Sequence, residues 1–177
     1  MKFSEAIINR FSKIDKKSYM IACYPDSKSL NEIIKFQKSL KLDAEKVLGP
    51  EEIHCTLRYW LQKDSPDIKK VHDWMTNEIN NSDTPIVCNI TDIGMLGDDA
   101  LVIHLKSKEL STLQSRVDKG VQSLGIGPSD FPNFKAHVSL AYGFKGTVPK
   151  SISMDTITLD KIKLVDNDDK ELWLGKI

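Results

Sequence analysis

Apolar and polar positions recur along the chain with two periods, and these sort it into strands and helices. Ile7, Ile8, Phe11 and Ile14 fall at helical spacing, which predicts a short N-terminal amphipathic helix over 4–14, within a helical extension spanning 1–18. The run YMIACY (19–24) reads as a buried strand closed by Pro25-Asp26-Ser27. Ser29 followed by Glu32 is a capping-box pattern, and Leu30, Ile33, Ile34 and Leu40 form the apolar stripe of the helix behind it. A polar stretch holding Gly49-Pro50 leads into the strand IHCTLRYWL (53–61). Ser65-Pro66 predicts the cap and first turn of a further helix, which Ile68, Val71, Met75 and Ile79 carry to about residue 80.

The second half follows the same logic. PIVCNITDIGML (85–96) and ALVIHLK (100–106) read as strands joined by the turn Gly97-Asp98-Asp99. Ser107 caps a helix whose stripe is Leu110, Leu113, Val117, Val121 and Leu124, with Gly125 as its stop. Gly120 inside that helix weakens it by about 1 kcal/mol relative to Ala. A Gly-Pro loop precedes the strand KAHVSLAYGF (135–144), and TITLDKIKLV (156–165) and ELWLGKI (171–177) are the last two strands. Strand, helix, Gly-Pro loop and His54 strand thus match strand, helix, Gly-Pro loop and His137 strand. This repeat of pattern predicts one α+β domain over 1–177: two pseudo-symmetric lobes of antiparallel sheet with flanking helices around a central cleft.

Composition narrows the class. The 177 residues are 40% hydrophobic, enough for a proper core, and no apolar run approaches the roughly 20 residues of a membrane span. The N-terminal residues lack the continuous apolar region of a secretory signal, so a cytoplasmic protein without membrane partners is expected. Cys23, Cys55 and Cys88, odd in number and widely spaced, read as reduced core residues. Lys+Arg 25 balances Asp+Glu 25, which argues against long duplex DNA as a partner but leaves a small nucleotide open.

The chemistry is carried by His54-Cys55-Thr56 and His137-Val138-Ser139. Successive strand side chains point to opposite faces, so His54 shares a face with Thr56, and His137 with Ser139. A pseudo-dyad would set two imidazoles and two hydroxyls across one cleft. Phosphodiester cleavage needs a base and an acid, and an imidazole serves as either near neutral pH. Hydroxyl donors steady the oxygens on which charge grows. No ligand spacing suggests a metal, and no cofactor is expected. By alternation Arg58 continues the His54 face and Lys135 the His137 face, both as phosphate partners; Tyr24, at the end of its strand, is placed to stack on a base. His72, on a helix, and His104, within an apolar strand, read as structural, and Tyr59 and Trp60 as packing residues.

In these two motifs the sequence resembles the 2H phosphoesterase superfamily, over roughly residues 19–177. The resemblance implies that His54 and His137 are acid and base and that Thr56 and Ser139 are phosphate ligands. Its compact, Lys-rich and Arg-poor character is similar to the phage anti-CBASS phosphodiesterases, which cleave the cyclic di- and trinucleotides of bacterial antiviral signalling. For a phage protein the compartment is the host cytosol. That resemblance also implies an acidic-aromatic C-terminal segment, here Glu171 and Trp173, that reaches ligand in a neighbouring subunit, and hence a homo-oligomer. The rivals are an RNA 2′,3′-cyclic phosphodiesterase acting on RNA ends and a non-catalytic nucleotide sponge.

Overall fold

The computed structural model describes residues 18–61, 67–79, 84–129, 131 and 133–177. The helix expected over 4–14 and the Ser65-Pro66 cap lie outside the described residues. Strand β1 (Ser18–Pro25) is followed by helix α1 (Ser27–Leu40), the short β2 (Lys46–Val47), a 3-10 turn (Pro50–Glu52) and β3 (Cys55–Leu61). Helix α2 (Ile68–Glu78), strands β4 (Ile86–Leu96) and β5 (Ala100–Lys106), helix α3 (Lys108–Ser123) and strands β6 (His137–Tyr142), β7 (Thr156–Asp166) and β8 (Glu171–Lys176) complete the order.

Local chemistry sets the helix ends. At α1 the cap is Asp26, whose carboxylate accepts from the Ser29 amide at 2.7 Å, so the helix begins before the expected Ser29 cap. Ser29 is instead buried, and its hydroxyl accepts from the Thr158 amide at 2.9 Å, fastening α1 to β7. Asp67 caps α2 by accepting from the Lys69 amide. Ser107 caps α3 as expected, and Gly125 follows its end at φ 92°, a conformation open to glycine. Gly120 has a packing reason that outweighs its helix cost. A Cβ there would lie 2.0 Å from Trp74 Cζ2, so the bare backbone is what lets α2 lie against α3.

All eight strands join one antiparallel sheet in the order β2-β6-β5-β4-β7-β1-β3. Strand β8 shares an edge of β7 with β4, β4 taking the first half of β7 and β8 the second. That fork divides the sheet into the two expected lobes. β3 and β6 stand near opposite ends of the order yet touch, so the sheet curls until the two motif strands meet. One face carries the helices over a core of Ile21, Ile33, Ile103, Leu110, Leu140 and Ile162, all fully buried. All three cysteines are free and buried there. The other face lines the cleft. Among the described residues no helix is long and apolar enough to cross a membrane.

Candidate active site

The matched halves are more alike in space than in sequence. β3 pairs with β1, and β6 with β5, and each motif strand carries an extra residue just past its hydroxyl. Thr56 faces Ala22 and Arg58 faces Ile21, leaving Leu57 as a bulge; Ser139 faces Val102 and Ala141 faces Leu101, leaving Leu140 as its counterpart. Each bulge reverses the inward–outward alternation beyond it. Tyr59 and Tyr142 therefore return to the cleft side in the two lobes, whereas Trp60 packs against Tyr19 at 5.8 Å on the helix side.

Both imidazoles are anchored in the same manner. His137 Nδ1 lies 2.6 Å from the Lys135 carbonyl, and the His54 ring bonds the Glu52 carbonyl, in each case two residues back. Donation to a carbonyl fixes the tautomer and leaves the other ring nitrogen for the cleft. The Cys55 thiol, pushed up to about 12 by burial, bonds the His137 backbone and so pins one motif strand to the other. Gln37 ties the lobes again: its buried amide donates to the carbonyls of Leu48 (3.2 Å) and Leu140 (2.9 Å). Ahead of His54, Glu52 accepts from the Gly49 amide at 2.9 Å and from Lys46 at 2.5 Å. Burial alone would raise this carboxyl, but those two donors outweigh it and the net shift is downward. Thr56 Oγ1 donates to Met20 Sδ at 3.3 Å along the cleft floor.

Burial brings the His54 imidazole down to about 4, the Glu52 carbonyl opposing and the His137 charge adding to the shift. His137 is lowered for the same leading reason, with His104 contributing. Burial thus favours the neutral form of both rings in the free protein. The sign for stability follows. An unfolded imidazole takes a proton near 6.5 and the folded His54 only near 4, so the unfolded chain binds more protons in between. The contribution of neutral His54 is complete above about pH 6.5 and is lost as pH falls toward 4, by up to about 3 kcal/mol. Urea unfolding at pH 7 and pH 4.5 should show His54→Gln losing less stability on acidification than the wild type; equal losses would overturn the burial argument.

The remaining candidates divide by face. Tyr24 lies 5.7 Å from the His54 ring, centroid to centroid, and its hydroxyl is pushed up to about 12 by burial together with Asp169 and Glu171. Lys135 is exposed beside His137. Glu171 pairs with Lys163 Nζ at 2.9 Å, and that Nζ stands 4.9 Å over the Tyr24 ring. Arg58 is not on the cleft face. The Leu57 bulge turns it to the helix side, where it is 3% exposed, pairs with Asp118 at 3.3 Å and donates to the Gly127 carbonyl. Trp173 is likewise a core residue, its indole N–H donating to Thr76 Oγ1 at 2.9 Å on α2. His72 is half exposed beside Asp73 on α2, away from the cleft. His104, expected to be structural, sits on the cleft face directly opposite His137. Alternation in LDKIKLV also places Lys161 and Lys163 on the cleft face, opposite Tyr24 and Ala22, a signal present in the sequence pattern but absent from the expected site. Among the described residues no group of three or more His, Cys, Asp or Glu side chains is arranged to hold a metal ion.

Residues 17–172, both motifs included, match the family model of the anti-CBASS protein Acb1. The chain belongs to this family. On that membership it is a hydrolase, a phosphodiesterase of the 2H type. The fold is shared with solved structures at low identity. TT0787 of Thermus thermophilus is 14% identical with a TM-score of 0.67, over 90% of this chain and 97% of that one. E. coli LigT complexed with 3′-AMP is 14% identical with a TM-score of 0.66, over 92% and 99%. A further phosphoesterase structure is 11% identical with a TM-score of 0.66, over 91% and 95%. No curated protein matches the Acb1-family chain in sequence.

Proposed function

We propose that this Acb1-family phosphodiesterase cleaves 3′–5′ linkages of small cyclic di- or trinucleotides without a metal, His54 acting as base and His137 as acid, in viral evasion of CBASS immunity. The observation that carries this reading is the facing pair of anchored, neutral imidazoles at the two meeting ends of the sheet. His54 is assigned the base because burial holds it neutral down to about 4, which keeps its lone pair available. Thr56 and Ser139 steady the phosphoryl oxygens, and Tyr24 stacks on the base attached to the attacking ribose. LigT has been crystallised with 3′-AMP and with phosphate, which supports a nucleotide in this cleft.

Charge supports a compact substrate. Lys46 and Lys163 each answer a carboxylate, Glu52 and Glu171, so the cleft is mixed and not a basic track for a long polyanion. The test is a panel of 3′,3′-linked cyclic dinucleotides, cyclic trinucleotides and RNA ending in a 2′,3′-cyclic phosphate, assayed by chromatography with excess chelator. Cleavage of a cyclic oligonucleotide, undiminished by chelator, is the expected result. Turnover of the RNA end alone would replace this reading with end processing, and binding with no product would make the protein a sponge.

A further inference from the structure

The row of side chains that holds His137 continues past it. On the cleft face His137, His104 and Asp92 are successive cross-strand partners on β6, β5 and β4, and Ser139, Val102 and Gly94 form the next row. Partners on one face of an antiparallel pair keep their Cβ atoms about 5 Å apart, so an imidazole and a carboxylate stand in line beside the proposed acid. At Gly94 the surface has a gap. A Cβ there would lie 3.6 Å from His104 Nε2 and 3.7 Å from Asp92 Oδ2, so a ring nitrogen and a carboxylate oxygen border one notch over bare backbone. The other oxygen of Asp92, Oδ1, accepts from Thr91 Oγ1 at 3.1 Å, which leaves Oδ2 for the notch. Beside it opens a hollow of about 420 Å³ that Asp92 and His104 line together with Lys106, Phe134 and Lys135.

An acceptor and a ring nitrogen bordering one gap select a particular chemistry. The carboxylate repels a phosphate, so the notch is no second phosphate site. It also favours the tautomer with the proton on Nε2, which makes His104 a donor there. The matching ligand group is one that both donates and accepts: a ribose hydroxyl, or a base edge with adjacent donor and acceptor. The lysines of the hollow offset Asp92 and admit a ligand that carries negative charge elsewhere.

We propose that His104, Asp92 and the bare backbone of Gly94 form a nucleoside subsite that holds the leaving half of the substrate beside His137. The inference deepens the function proposed above and rests on it for a nucleotide phosphodiester whose 5′-oxygen is protonated from the His137 side. His104 donates to the bound nucleoside and Asp92 accepts from it. Phe134, half-buried in the same hollow, offers an apolar wall.

The test uses binding, not turnover. Affinities of 5′-mononucleotides, 3′-AMP, ribose 5-phosphate and inorganic phosphate are measured by calorimetry for the wild type, Gly94→Ala and Asp92→Ala. Gly94→Ala is the sharper variant, since its methyl makes only ordinary contacts and fills the notch without strain. Both variants should weaken 5′-mononucleotides on the order of tenfold, the worth of one charged hydrogen bond, and leave phosphate and 3′-AMP unchanged. If ribose 5-phosphate weakens in step, the group is a ribose hydroxyl; if it does not, the group is a base edge. Unchanged 5′-mononucleotide affinity in both variants would overturn the subsite, as would an equal loss for phosphate and 3′-AMP. A wild type that binds 5′-mononucleotides yet cleaves no cyclic oligonucleotide would sink the proposed substrate and leave the subsite standing.

Discussion

Replacing either His54 or His137 by Ala should lower kcat/KM for phosphodiester cleavage on the order of 10²–10⁴-fold, the usual worth of a general acid or base. The double variant should fall little below either single one. A base without its acid partner leaves the departing oxygen unprotonated, and an acid without its base leaves the nucleophile weak, so the pair acts as a unit. The pH profile of kcat/KM separates the roles. His54→Ala should remove the acid limb, since burial lowers the imidazole of the proposed base, and His137→Ala should remove the alkaline limb. His72→Ala serves as control, because that ring is half exposed on α2 with Asp73 as its partner. Near-native turnover in either motif variant, with folding verified, would overturn the two-histidine mechanism.

Much of this arrangement was legible because strand alternation and capping chemistry are local. Ser107 and Gly125 bracket α3 where the pattern put them, and the turn at Gly97-Asp98-Asp99 joins β4 to β5. The matched His-x-hydroxyl strands do stand in corresponding places of two lobes. Two of the failures share one cause. Alternation is valid only while the register is unbroken, and the bulges at Leu57 and Leu172 break it. Leu57 sends Arg58 to the helix side. Leu172 does the same to the C-terminal pair: Glu171 faces Val165 while Trp173 faces Leu164, so residues two apart in sequence lie on opposite faces. Grouping Glu171 with Trp173 as one ligand-reaching segment was therefore wrong for the tryptophan, which packs on α2. His104 was missed for a different reason. Its own strand shows that it alternates with Leu101, Ile103 and Leu105, but only the pairing of β5 with β6 reveals that it stands beside His137. At α1 the expected cap was Ser29, but Asp26, directly after Pro25, takes the role three residues earlier because its backbone is extended and its carboxylate reaches the Ser29 amide.

A cyclic dinucleotide carrying 2′-deoxyribose at the scissile position should bind this protein and resist cleavage. In the proposed two-imidazole mechanism, the best-placed nucleophile on an internal 3′–5′ linkage is the substrate's own 2′-hydroxyl. It sits on the carbon next to the bridging 3′-oxygen, so attack on phosphorus is intramolecular, and such proximity is worth several kcal/mol, up to about 7–11 in well-aligned systems. In the proposed mechanism His54, held low by burial, would take the 2′ proton as the new P–O bond forms, and His137 would give its proton to the departing 5′-oxygen as the old bond breaks. The His137 ring must be protonated for this, and burial disfavours that in the free protein. The phosphate anion supplies the missing stabilisation once bound, because a nearby negative charge raises an imidazole pKa. Substrate thus arms its own acid. The first product carries a 2′,3′-cyclic phosphate, and water can open it in the same site with the histidine roles reversed. Mass spectrometry of products from the ribose and deoxyribose forms decides the matter. Equal rates for the two would mean that water attacks directly, and the intramolecular mechanism would fall even with both histidines essential.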